Sequence, residues 1–62
     1  MRKRLFHFEW IEGGWNWSYG YSRKGAVRNA EALCPGYKVD LSTLRTIYDE
    51  DAYFERLYRT SM

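Results

Sequence analysis

His7 and Glu9 stand two residues apart in an aromatic-rich run. In an extended strand that spacing puts an imidazole and a carboxylate on one face, the arrangement of a base and its orienting group. The commoner meaning of such a pair is a cross-strand surface contact, here beside Ser18. Cys34 is the one thiol and His7 the one imidazole of the chain. A nucleophile pair made from them would need a helix end to reach the far side of the sheet that carries His7. A single histidine and a single cysteine also fall short of a soft metal-ligand set. There is no Gly-rich phosphate loop of the P-loop type. The residues therefore predict a protein that is not an enzyme, with no cofactor and no metal.

Charge and rings offer more than nucleophiles do. Ser22 is a good N-cap, and Arg23 and Lys24 follow it at the positive end of the helix dipole, with helix-weakening Gly25 next. Local conflicts of this kind tend to mark function. Free amides, a hydroxyl and two cations could hold a phosphate or a partner's carboxylate, unless the long side chains simply point into water. Arg2, Lys3 and Arg4 form a second basic group, able to grip phosphates or to keep a strand edge from aggregating. Trp10, Trp15 and Trp17, near a turn, are the rings expected to project beyond a covering helix, where they could stack bases or anchor a protein.

These side chains need a frame, and Leu5 to Ser22 supplies it as a β-hairpin about Gly13-Gly14. Two glycines suit a two-residue turn with φ > 0 at both positions. That turn predicts Trp10 opposite Trp17, Phe8 opposite Tyr19 and Phe6 opposite Tyr21, with all these rings and Trp15 on one face.

A helix is expected over Arg23 to Leu33. Ala26, Val27, Ala30, Leu33 and Cys34 form its buried stripe, small residues against large rings. Arg28 and Glu31 are expected to be exposed. Pro35-Gly36 stops the helix, and Tyr37 to Asp40 starts a third strand returning beside the first. Leu41 to Tyr48 reads as a short turn at 41–44 followed by an extended 45–48, with a continuous helix as the alternative. Asp49 caps a last helix, with Glu50 and Asp51 at its positive end and Arg56 and Arg59 towards its negative end. Tyr48 and Tyr53 occupy staple positions. Tyr53, Phe54, Leu57 and Tyr58 make an apolar stripe that closes the sheet or pairs with a second copy. The expected fold is α+β, a small single domain of order ββαβ(β)α, residues 1–62: an aromatic hairpin sheet covered by a short amphipathic helix, plus a C-terminal helix.

The composition agrees with a small globular domain: 45% hydrophobic, 29% charged and 19% aromatic over 62 residues. Large rings bury much area per residue, one route to a core in so short a chain. A lone cysteine cannot form an internal disulfide. No signal-peptide pattern or membrane-length apolar run is present, so the expected location is the reducing cytoplasm. A net charge of +2 permits an acidic partner without the lopsidedness of a committed nucleic-acid module.

The order of Tyr19-Gly20-Tyr21-Ser22, then Ala26 to Ala30, then Pro35-Gly36-Tyr37-Lys38-Val39 resembles the layout of small phage-encoded ββαβ inhibitors of bacterial RNA polymerase. The likeness covers about half the chain, and the added C-terminal helix departs from it, so no functional residue is carried over. What the resemblance implies is that a tiny ββαβ domain can act by occupying a site on a larger machine. The expected function is thus a non-enzymatic binding protein, of phage or mobile-element origin, that inhibits or modulates a larger protein or nucleoprotein with an acidic surface. The alternative is a nucleic-acid-binding module using Arg2 to Arg4, Arg23, Lys24 and exposed rings. No membrane partner is expected, and a homodimer is possible.

Overall fold

The computed structural model describes residues 2–60, the side chain of Thr60 excepted. Its elements are β1 (Arg4–Trp10), β2 (Trp15–Gly20), α1 (Arg23–Leu33), β3 (Val39–Ile47) and α2 (Glu50–Thr60). They form an α+β domain whose antiparallel three-stranded sheet has the order β2-β1-β3. The third strand returns beside the first, as expected. β1 takes the middle because Leu5, Phe6 and Phe8 bury apolar side chains on both of its faces.

The hairpin register departs from the expected one. Trp17 lies across from His7, Ser18 from Phe6 and Asn16 from Phe8. Trp10 instead exchanges backbone bonds within the turn: its N–H donates to the Gly14 carbonyl at 2.9 Å, and the Gly13 N–H donates to the Trp10 carbonyl at 3.0 Å. The loop is therefore the three residues Ile11-Glu12-Gly13. Gly13 and Gly14 both have positive φ, 111° and 86°, so the glycine pair is used, but in a longer loop. The offset is odd, which moves every β2 side chain to the other face of the sheet.

The rings are consequently divided. Phe6, Phe8 and Trp10 face α1 and make a core with Ala26, Ala30, Val39 and Leu44. Opposite them β2 presents Asn16, Ser18 and Gly20, with no ring among them. These small residues let α1 settle close. Ser18 Oγ donates to the Ala26 carbonyl at 2.7 Å, and Asn29 Nδ2 donates to the Tyr19 carbonyl at 2.7 Å. Trp15, Trp17 and Tyr19 lie on the opposite face with Leu5 and His7, beneath α2. There Trp17 meets Phe54 edge to face at 5.2 Å, and Tyr19 donates to Glu50 Oε1 at 3.0 Å. The chain is a three-layer stack, helix–sheet–helix.

Both expected N-caps are present. Ser22 Oγ accepts from the Gly25 N–H at 3.0 Å, and Asp49 Oδ1 accepts from the Ala52 N–H at 3.0 Å. The staple at α2 is not formed, since Tyr48 is 83% exposed. Leu33 is another correction. It shares the angular stripe of Ala26 and Ala30 but is 81% exposed, at the open edge of β2 beside Trp17, where no sheet remains beneath it. Glu31 is half-buried, because its carboxylate accepts from the Val39 N–H at 3.1 Å and ties the helix end to β3.

β3 is one irregular strand from Val39 to Ile47, longer than expected. Its ends pair regularly with β1, yet Leu41 to Leu44 together stand opposite Phe8 alone, between the Asp40–Glu9 and Arg45–His7 pairs. The excess chain is folded locally. Asp40 Oδ1 accepts from both the backbone and the hydroxyl of Ser42, while Thr43 Oγ1 donates to the Asp40 carbonyl and accepts from the Glu9 N–H. Residues 41–44 thus form a bulge within a continuous strand instead of the expected turn, and the helical alternative does not occur.

Candidate functional site

α1 is charged against its own dipole. Its first turn has no acid and its last turn no base, whereas α2 has Glu50 and Asp51 first and Arg59 last. Lys24 and Arg28, one helical turn apart on the same face, have no ion-pair partner among the described residues. Arg23 reaches the Leu44 carbonyl only at 3.4 Å. One chain therefore holds a conventionally charged helix and a reversed one, and no acid among the described residues pairs with the cations of the reversed one.

These cations border a groove. α1 lies chiefly over β2, and towards β3 it leaves a cleft of about 600 Å³. From α1 come Arg23, Lys24, Arg28 and half-buried Val27, and from β3 buried Leu44 and, as the far lip, exposed Leu41. Leu41 is 62% exposed and lies in the segment where β3 carries four residues against Phe8. Glu31, the groove's one acid, is engaged by the Val39 N–H and lies 3.9 Å from Lys38.

The other expected site residues are scattered. Trp10 is buried, packed on Phe8 and Tyr37 with ring centroids 4.9 and 5.4 Å apart, and does not project as expected. Trp15 and Trp17 remain partly exposed but belong to the α2 face, away from Arg23 and Lys24. Trp17, 37% exposed, packs on Phe54 of α2, and Trp15, 51% exposed as expected, stacks on His7. Arg2, Lys3 and Arg4 are exposed about a recess of about 360 Å³ at one end of the sheet, where Lys3 Nζ sits 5.8 Å from the centre of the Tyr21 ring. Arg28, Val27, Leu41 and Leu44 were not among the expected site residues. Arg28 was recoverable from its i, i+4 spacing to Lys24. Leu41 was not, because its exposure depends on how β3 meets β1.

His7 is not the surface pair partner expected beside Ser18, which lies under α1 on the other face. The ring stacks on Trp15 at 5.6 Å, and Nδ1 is 2.7 Å from the Tyr53 hydroxyl. With the imidazole neutral and protonated on Nε2, Tyr53 donates to Nδ1 and fastens α2 to the sheet. Burial, then the Arg45 guanidinium, lower the His7 pKa from its ordinary value, against a smaller opposing pull from Glu9. A depressed histidine pKa contributes stability above the unfolded-state value and loses it as pH falls through the folded-state one. Acidification from about pH 7.5 to about pH 5 is therefore expected to lower the melting temperature of the parent more than that of His7→Phe. Parallel pH profiles for the two proteins would contradict this role.

Cys34 lies on the α1 side, so the sheet separates it from His7. Among the described residues no cluster of three His, Cys, Asp or Glu could hold a metal ion, and no helix is long and apolar enough to cross a membrane. Comparison with known protein families, with curated proteins and with solved structures finds no match for this chain.

Proposed function

We propose that this protein is a non-enzymatic binding protein that docks on an acidic surface of a larger macromolecule and modulates it. The observation that supports this reading is the reversed charge of α1. Arg23 and Lys24 are set in the first turn, where the helix dipole opposes them, Arg28 extends the group by one turn, and none of the three has an ion-pair partner among the described residues, so their placement makes sense toward an external anion. A partner protein suits the chain better than a nucleic acid. The basic residues fall into two groups, about the sheet end and along the α1 groove, and each group includes an acid, Glu50 in the first and Glu31 in the second, which suits a phosphate track poorly.

Reversing Arg23 and Lys24 together (Arg23→Glu with Lys24→Glu) tests the reading. Folding stability is expected to stay level or rise by up to about 1 kcal/mol, because acids now face the positive helix end. Partner affinity is expected to fall, most steeply at low salt. The measurement is capture from a nuclease-treated bacterial lysate by parent and variant across a salt series, alongside their melting curves. Equal capture at every salt concentration would remove these cations from the binding surface. Capture that vanishes on nuclease treatment would instead favour nucleic acid.

A further inference from the structure

We infer that the cleft between α1 and β3 receives an acidic polypeptide segment bearing one apolar anchor residue, with carboxylates against Lys24 and Arg28 and the anchor between Val27, Leu41 and Leu44. This rests on the proposed function and specifies its site. Two properties coincide here: the cations Arg23, Lys24 and Arg28, none with an ion-pair partner among the described residues, and an aliphatic lining of Val27, Leu44 and the exposed Leu41, while the one acid, Glu31, is held by the Val39 N–H. Charge complementarity selects an anion. The lining selects what kind of anion, because none of the residues bordering the cleft is aromatic, and nucleic-acid strands are ordinarily held by base stacking on rings. The far lip is also apolar where a phosphate backbone would want a second line of cations. A polypeptide fits both requirements, since one side chain can bury on Leu41 while its neighbours meet the ammonium and guanidinium groups. A second copy of the chain is a poor occupant, because its net charge is also positive.

The test is a titration of the ¹⁵N-labelled protein, followed by amide chemical shifts, with three probes. One is a short peptide of Glu and Asp carrying a central leucine; the second has serine in place of that leucine; the third is a single-stranded oligothymidylate. The leucine peptide is expected to move the amides of Arg23 to Arg28 and Leu41 to Leu44, and to bind about tenfold more tightly than the serine peptide. Leu41→Ser, a change at an exposed position that leaves the core intact, is expected to abolish that preference while binding of the serine peptide stays as before. Equal binding of the two peptides, or shifts confined to Arg2 to Arg4, would overturn the inference while leaving an acidic partner in place. Tighter binding of the oligothymidylate at the same residues would overturn it in favour of nucleic acid. No shift with any probe would overturn both the inference and the proposed function.

Discussion

Replacing Gly20 with alanine is expected to cost about 3 kcal/mol or more, most of the roughly 5 kcal/mol available to so small a domain. The backbone at Gly20 is not left-handed, so the cost is one of space. A Cβ there would come within 2.4 Å of the Ala26 nitrogen and 2.7 Å of the Ala26 Cα. Those atoms belong to the first turns of α1 and cannot move aside singly; the helix would have to lift from β2. Lifting it also lengthens the Ser18–Ala26 and Asn29–Tyr19 hydrogen bonds and uncovers Phe6 and Phe8. Gly13→Ala makes the internal comparison. Nothing lies within 4 Å of a Cβ at Gly13, and only its φ of 111° resists a side chain, a conformational cost of about 1–2 kcal/mol. Urea unfolding of both variants reads the difference. If Gly20→Ala is no less stable than Gly13→Ala, α1 does not approach the sheet as closely as described.

Gly20 also explains why the hairpin register was hard to read. A Gly-Gly pair accepts positive φ in a two-residue turn or at the end of a three-residue loop, and local preference does not separate the two. Collecting every ring on one face looks like the better hydrophobic pattern, yet it fails on thickness. A face of seven rings would hold α1 off the sheet, whereas Asn16, Ser18 and Gly20 let it lie nearly on the backbone. The decision belonged to packing between layers, and the second apolar face became useful only because α2 supplies Tyr53 and Phe54 to cover it. What was legible depended on neighbouring residues alone: the element order, both N-caps, the Pro35-Gly36 stop and the small-residue stripe of α1. The candidate site divides in the same way. The reversed charge of α1 is visible in Ser22-Arg23-Lys24, because a helix dipole needs no tertiary context. The groove beside it is not visible, since its far lip is made by Leu41, which is exposed where β3 carries more chain than β1 can pair.

Ala30→Glu is expected to unfold the domain, while Leu33→Glu, on the same helical stripe, is expected to shift stability by no more than about 0.5 kcal/mol. Periodicity alone treats the two positions alike. The structure separates them: Ala30 is buried as a member of the core cluster, and Leu33 is 81% exposed beside Trp17 of β2. A carboxylate at position 30 would have to be charged without a partner in that core or take up a proton, and either costs several kcal/mol. The added methylenes also overfill a contact made by a methyl group. Ala30→Leu carries those methylenes without the charge, so its loss, about 1–3 kcal/mol, separates crowding from desolvation. The readout is amide dispersion in the ¹⁵N spectrum together with thermal melting. A well-dispersed Ala30→Glu that melts like the parent would place the Ala26–Ala30 face in water. An equal collapse of Leu33→Glu would extend the buried face to the last turn of α1 and require the sheet, or another chain, to lie beneath it.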